Sequence, residues 1–290
     1  MGGSFTRPRE RGRGPLCRVR RSRQREPAGR DPDREDFMSD HDQELSQAFD
    51  GQAAKFEVAP VQSDPVALAR LVAFADLPPA SRVLDAGCGP GLVSRAFLDA
   101  GHRVTGVDLS SEMIRRAEVR NAAAGDRASF LQASIHDTIP GAPFDAAVSR
   151  YVLHHVVDPD AFVARQVELI RPGGVLVLYD HTTDPDPEHA AHHERIERLR
   201  DHTHTRNLTG GQIIDRLAAA GLVDLRLSEE SFHLDFDEWF DRGTPVASKA
   251  EVRRLILDGP QARGFRAVEQ PDGSIRIDCV RVVARGIKPA

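Results

Sequence analysis

The run Val83-Leu84-Asp85-Ala86-Gly87-Cys88-Gly89-Pro90-Gly91 limits the possible folds more than any other part of this 290-residue chain. Apolar residues lead into an acid, and three glycines then alternate with other residues. This is the pattern of a buried strand ending in a turn whose backbone comes close to a ligand. A Cβ there would block both the positive-φ conformations and the approach. Such a unit belongs to an open, mostly parallel α/β sheet, where ligands lie beyond the carboxyl ends of the strands at the switch in strand order. A dinucleotide turn, G-x-G-x-x-G, would need its third glycine at position 92, where Leu92 stands. The spacing here is G-x-G-x-G.

Seventeen residues after Gly91 comes Asp108, which ends a second apolar run, Val104-Thr105-Gly106-Val107. An acid at that strand tip accepts hydrogen bonds from both hydroxyls of a ribose, so Asp108 points to a nucleoside and the glycine spacing selects which one. The same residue also suits the cap of the helix after Leu109-Ser110, where negative charge is favoured.

Strand-length and helix-length patterns alternate from there on. Strands are expected at 83–86, 104–107, 128–132, 144–149 and 175–179, with helices at 93–100, 111–121 and 161–170. A helix at 208–220, a strand at 223–227 and a final antiparallel strand at 274–284 complete the pattern. The stretches 181–207 and 232–262 fall outside it, and insertions at that edge of a sheet usually form the substrate pocket or its lid.

The G-x-G-x-G turn with Asp85 two residues ahead of it, Asp108, Phe144-Asp145, the helix-opening Leu153-His154-His155 and the turn Arg171-Pro172-Gly173-Gly174 carry a family likeness. In order and spacing they resemble the class I S-adenosylmethionine (SAM) methyltransferases over roughly residues 45–230. Glu197-Arg198-Leu199-Arg200-Asp201 with His204 and Arg206 is similar to a bacterial subgroup near the ubiquinone/menaquinone C-methyltransferase-like proteins. The resemblance implies an α/β fold: a seven-stranded, mostly parallel, doubly wound (Rossmann-like) sheet with cap insertions near 181–207 and 232–262. It implies SAM-dependent methyl transfer to a small organic acceptor at oxygen, carbon or nitrogen.

It also implies roles for particular residues. Gly87, Gly89 and Gly91 lie under the methionine moiety of S-adenosyl-L-methionine, Asp85 orients its ammonium, and Asp108 holds the ribose. Leu109 and Met113 border the adenine. The family's usual acid after strand three is missing from Ala133-Ser134-Ile135-His136-Asp137, so Ser134 or Asp137 takes its place while Ile135 offers its backbone N–H. Phe49-Asp50-Gly51-Gln52-Ala53 resembles the family's lid helix, with Gln52 near the methionine end. It also fits an ordinary amphipathic helix packing Phe49, Ala53 and Phe56.

Methyl transfer from a sulfonium mainly demands near-attack geometry and exclusion of water. A general base is required only when the acceptor must lose a proton. The resemblance puts Arg150 and His154 at the carboxyl edge facing the acceptor, and His181 follows strand five on the same edge. His154 and His181 are the candidate bases, and Arg150 is placed to steady an anionic acceptor and to border the cofactor. His155 fits a packed or solvated helix residue. His189, His192 and His193 have a spacing that can bind metal. Glu188, Glu194 and Arg195 around them fit a charged, exposed face, and no metal is expected. Ser149-Arg150-Tyr151-Val152 stands where amino-group methylases carry Asn/Asp-Pro-Pro-Tyr.

Composition sets the remaining bounds. Residues 1–37 hold eleven Arg, no Lys and six acids, and are expected to be a disordered extension ahead of a methyltransferase domain at 38–290. The remainder carries 28 basic and 38 acidic residues, an excess that argues against a sequence-independent grip on nucleic acid. No run approaches the eighteen apolar residues of a membrane span. Three scattered cysteines are too few for a disulfide framework or a zinc site. These features suit a cytoplasmic enzyme, monomeric or homodimeric, acting on a small molecule. Two other readings keep the same fold: a SAM-binding enzyme of cyclisation or elimination, and an RNA or protein methyltransferase docking through its arginine arm.

Overall fold

In a computed structural model of the chain, residues 1–2 and 39–290 are described, so most of the extension expected to be disordered lies outside the described residues. The chain divides after Phe37 into two units, and the fold is that of the second, Met38–Ala290. Helix α1 (Asp40–Val58) opens on a capping box between Ser39 and Asp42. Helices α2 (Pro60–Ser63) and α3 (Pro65–Ala75) each carry proline in the first turn, where its missing N–H costs nothing. Then β1 (Arg82–Ala86), α4 (Leu92–Asp99), β2 (Arg103–Asp108), α5 (Ser111–Asn121) and β3 (Ala128–Gln132) form one βαβαβ half. The other half contains β4 (Phe144–Arg150), α6 (Pro159–Leu169), β5 (Ile170–His181), α7 (Pro187–Arg200), α8 (Gly210–Ala219) and β6 (Val223–Asp235). It ends with α9 (Phe236–Arg242), α10 (Lys249–Asp258), β7 (Phe265–Glu269) and β8 (Ile275–Ile287).

The sheet order is β3-β2-β1-β4-β5-β8-β6, so the order switches between β1 and β4. Strands β1 to β5 pair in parallel, and β8 runs antiparallel to both β5 and β6. The seven expected strands are joined by an eighth, β7, which pairs with β8. Its sequence, Phe265-Arg266-Ala267-Val268-Glu269, is short and half polar because one face is exposed. Central strands bury both faces, so their apolar runs are continuous rather than alternating. Leu84, Leu176 and Leu178 pack with Phe162, Ile213 and Leu217 on one side. Val83, Val177 and Tyr179 pack with Leu71 and Phe97 on the other.

Two local expectations need correction. Leu153–His155 is a single 3-10 turn, and α6 opens only at Pro159, capped by Asp158. The Arg171-Pro172-Gly173-Gly174 turn is the irregular start of β5, where the register against β4 shifts. The insertions are mostly helical: α7 lies within 181–207, while the end of β6, α9 and α10 lie within 232–262. They share a third core of Ile196, Phe236, Trp239, Val252, Phe265 and Ile277 against the far end of β8. Among the described residues no helix is long and apolar enough to cross a membrane.

Candidate active site

A cleft of about 310 Å³ opens at the carboxyl ends of β1, β2 and β4. The three glycines of the turn all have positive φ, at 73°, 52° and 78° for Gly87, Gly89 and Gly91, but only Gly87 and Gly89 border the cleft. Their neighbours differ. A Cβ on Gly87 would sit 2.5 Å from Val152, and one on Gly91 would sit 2.5 Å from the Asn121 side chain. On Gly89 it would meet only the Met113 sulfur, at 4.0 Å, so this glycine keeps the cleft side of the turn clear.

Asp108 ties the turn to the next helix. Its Oδ2 accepts from the Gly89 N–H at 2.8 Å and its Oδ1 from the Ser110 N–H at 2.9 Å. It borders the cleft as well, so the cap and ligand roles coincide in one residue. Burial pushes its carboxyl up to about 6, against the pull of its backbone hydrogen bonds. Asp85, expected to meet the ligand directly, is buried and does not border the cleft. Its Oδ2 accepts from the Ser94 hydroxyl at 2.6 Å, its Oδ1 has no partner, and burial raises the carboxyl to about 7.

Helix α1 closes over the cleft, with Leu45, Phe49 and Phe56 in its wall. The Asp50 carboxylate accepts from the Ser110 hydroxyl (2.6 Å) and the Glu112 N–H (3.0 Å), and the Ser46 hydroxyl donates to the Leu109 carbonyl. Glu57 pairs with Arg116 and, at 2.8 Å, with Arg120. Gln52 lies on the same helical face as Phe49 and Phe56. It is buried outside the cleft wall, and both its amide atoms lack a partner among the described residues.

Leu109, Met113, Ser134 and Ile135 all border the cleft, and so does His136, which the sequence did not mark. Of the two candidates after β3, Asp137 is committed to the backbone: its Oδ2 accepts from the Ser134 N–H at 2.8 Å. Ser134 is the one in the wall.

Arg150 borders the cleft too, but its guanidinium is directed elsewhere than expected. Nη1 and Nη2 donate to the carbonyls of Gln62 and Val61, each at 2.8 Å, and the group stacks 4.5 Å from the Tyr151 ring centre. It therefore pins the α2 segment, and only Nε is left without a partner.

Adjoining the cleft is a smaller chamber of about 40 Å³. His154 and His181 belong to its wall, not to that of the cleft, while Phe56, Gln62, Tyr151 and His155 border both spaces. His155 is thus a wall residue, not merely a packed helix position. Tyr151 holds φ at 58°, a costly conformation for a side chain of its size and one that concentrates at functional sites. His154 Nδ1–H donates to Asp180 Oδ1 at 2.7 Å, which leaves Nε2 as the unprotonated nitrogen. Asp180 also accepts from the backbone N–H groups of His181 and Leu153. Burial, then His155 and His204, hold His154 well below the ordinary histidine range. Burial and the neighbouring His154 ring, 4.1 Å away, do the same to His181, whose Nε2 has no partner.

Asp180 was missed in the sequence. The acid beside His181 at a strand end was the signal available.

The three helical histidines turn to separate partners. His189 faces Asp184, His192 the Leu255 carbonyl, and His193 Thr183 and the Phe265 ring. Among the described residues the group of metal-ligand type is His154, Asp180 and His181, with ligand atoms within 4.8 Å of one another. Three of the four Asp180 lone pairs are already spent on hydrogen bonds, so the group is better described as a histidine held by a carboxylate.

A family model described as "Methyltransferase domain" matches residues 62–227. The ubiquinone biosynthesis O-methyltransferase of Xanthomonas campestris is 37% identical over 102 residues, which cover 34% of this chain and 43% of that protein. The chain thus spans less than half the length of the curated relatives it matches. The crystal structure of the YcgJ protein from Bacillus subtilis superposes with a TM-score of 0.70 at 24% identity, covering 78% of this chain and 99% of that one. The Burkholderia thailandensis 1,6-didemethyltoxoflavin-N1-methyltransferase, solved with bound 1,6-didemethyltoxoflavin and S-adenosylhomocysteine, gives 0.52 at 19% identity, covering 88% of this chain and 93% of that one.

Proposed function

This chain belongs to the methyltransferase domain family, and from that premise we propose that it transfers the methyl group of SAM to a small organic acceptor held at the wall shared by the cleft and the chamber. The observation that carries the proposal is the pair of adjoining spaces: a cleft for the donor and a histidine-lined chamber, sharing Phe56, Gln62, Tyr151 and His155. The name of the Xanthomonas relative supports oxygen as the acceptor atom, and the S-adenosylhomocysteine in the Burkholderia structure supports the cofactor.

The residues present fit SAM. Asp108 suits a ribose, and Leu109, Met113, Ser134 and Ile135 suit the adenine; the unpartnered Asp85 Oδ1 and Gln52 amide, buried outside the cleft wall, are the polar atoms offered to its amino-acid end. When bound, SAM supplies a methyl carbon activated by its sulfonium, which an acceptor lone pair takes as the neutral thioether leaves. The protein's part is to hold that acceptor at the shared wall and keep water out. Asp180 fixes the His154 tautomer so that Nε2 receives the proton of an acceptor hydroxyl. Because burial holds His154 neutral, the proton-accepting form persists below the usual histidine range. A reducing, cytoplasmic setting suits the free buried thiols of Cys88 and Cys279.

Incubation with methyl-labelled SAM and a panel of phenols, catechols, quinols and amines tests the reading. S-adenosylhomocysteine formed together with a labelled small acceptor is the expected result. Absence of SAM binding by calorimetry would overturn it.

A further inference from the structure

We propose that the smaller chamber seats the carboxylate of the acceptor between Arg200 and Arg242, so that the substrates are small organic acids. This rests on the reading that the acceptor is held at the wall the chamber shares with the cleft. Arg200 ends α7 and Arg242 ends α9; each is only 7% exposed and each borders the chamber. Two buried guanidiniums side by side are costly unless anions match them. Arg200 Nε donates to the Trp239 carbonyl at 2.9 Å and Nη1 reaches Asp201 at 3.3 Å, while Arg242 Nη1 pairs with Glu238. These contacts tie the two helix ends together, but they occupy only part of each fork. Neither Nη2 has a hydrogen-bond partner among the described residues, and both residues border the chamber. Asp201 is shared as well, since its Oδ1 accepts from the Thr203 and Thr244 hydroxyls.

Four further features describe the seat. Gly243 gives Arg200 its place, because a Cβ there would fall 2.6 Å from Arg200 Nε. Burial and then Arg200 lower the proton affinity of Arg242, while Glu238 and the buried Glu197 raise it, so these carboxylates already offset part of the paired charge. The chamber's 40 Å³ equals about three waters at roughly 10–15 Å³ each, the size of a carboxylate rather than of a ring. The guanidiniums lie over Trp239 (5.2 Å) and Phe56 (5.8 Å), which leaves their N–H edges for a planar anion. An acid seated so would direct its other end toward His154 and Tyr151.

The single tryptophan of the chain, Trp239, is in this wall and reports on it directly. Full-length protein is titrated with acetate and benzoate, and in parallel with acetamide and benzamide, while Trp239 emission is followed with and without S-adenosylhomocysteine. The acids are expected to shift the emission saturably and at least about tenfold more tightly than the amides. Arg242→Met should abolish that difference and Arg242→Lys retain part of it, with circular dichroism unchanged. Equal response to acids and amides, no response to either acid, or a preference that survives Arg242→Met in a folded protein would each overturn the proposal. If Arg242→Met fails to fold, the acid–amide comparison on the wild type decides alone. Acid binding without S-adenosylhomocysteine binding would remove the methyl-transfer reading and leave the carboxylate seat standing.

Discussion

The β1–β3 side and the β5–β8 side of the sheet meet at the same switch point but build their shares of the site from different materials. The first uses backbone and carboxylates: three positive-φ glycines, with Asp108 bridging the Gly89 and Ser110 amides. The second uses long side chains gathered from four separate places, His154 after β4, His181 at the end of β5, Arg200 on α7 and Arg242 on α9. A ligand common to a whole family is suited by a local backbone cradle, whose shape depends on few residues. An acceptor that differs from one enzyme to the next is suited by side chains that can be exchanged without disturbing the sheet.

The sharpest way to break this comparison is to remove the residue that serves both as cradle and as ligand contact. Asp108→Ala deletes two amide partners together with the proposed ribose contacts, and hydrogen bonds to charged groups each contribute about 1.5–3 kcal/mol. SAM affinity should fall by several hundredfold in calorimetry, while benzoate binding at Trp239 stays as it was. Unchanged SAM affinity in a folded variant would mean that the cleft is not the donor site.

The converse substitution acts on the other side. His154→Gln should lower turnover on the true acceptor by about a hundredfold, with SAM affinity within about twofold of wild type. Asp180→Asn should cost nearly as much by releasing the tautomer. Because His154 is held below its ordinary range, the acid limb of the wild-type rate profile should lie well below pH 6.5. Turnover that survives in both variants would assign the reaction to proximity alone.

A smaller effect concerns Asp85, the buried carboxylate near the end of β1. With Asp85 raised to about 7 by burial, part of the free protein carries it protonated at neutral pH. Pairing with an ammonium requires the ionised form, so SAM affinity should rise with pH and level off above about 7. Below that value it should weaken by up to about tenfold per pH unit, with a proton released on binding. Asp85→Asn should bind more weakly and flatten this dependence, while a slope that persists in the variant would belong to another group.

The same contrast explains what could be read from the chain. The cradle was legible because strand, turn and strand tip are continuous in sequence, and Asp85, the glycines, Asp108 and Met113 all stand where local pattern puts them. The chamber was only partly legible. His154 and His181 stand out as histidines at strand ends, but Asp180 shows its role only when β4 and β5 lie side by side. Arg242 joins Arg200 only through the packing of α9 against α7, which no periodicity records. Arg150 misled because its charge suggested an anion, whereas the fold turns it toward two carbonyls of the α2 segment. Strand β7 escaped because an edge strand with one wet face carries little hydrophobic signal.

The smallest effect expected concerns how firmly α1 covers the cradle. Glu57 near the end of α1 pairs with Arg116 and Arg120 on α5, and its side chain is about a quarter exposed. Partly exposed ion pairs contribute about 0.2–1 kcal/mol each and are screened by salt. Asp50, which caps α5 from the same helix, holds the closure independently through the Ser110 hydroxyl and the Glu112 amide. Glu57→Gln should therefore weaken SAM binding by only about two- to fivefold, chiefly through faster release. The difference from wild type should shrink as salt rises from low to about 0.5 M, because the variant has lost the interaction that salt screens. Stopped-flow release of SAM at two salt concentrations measures this. A variant that released SAM a hundredfold faster would show that closure hangs on Glu57 rather than on the Asp50 cap. The donor half would then depend on exchangeable surface side chains as much as the acceptor half does.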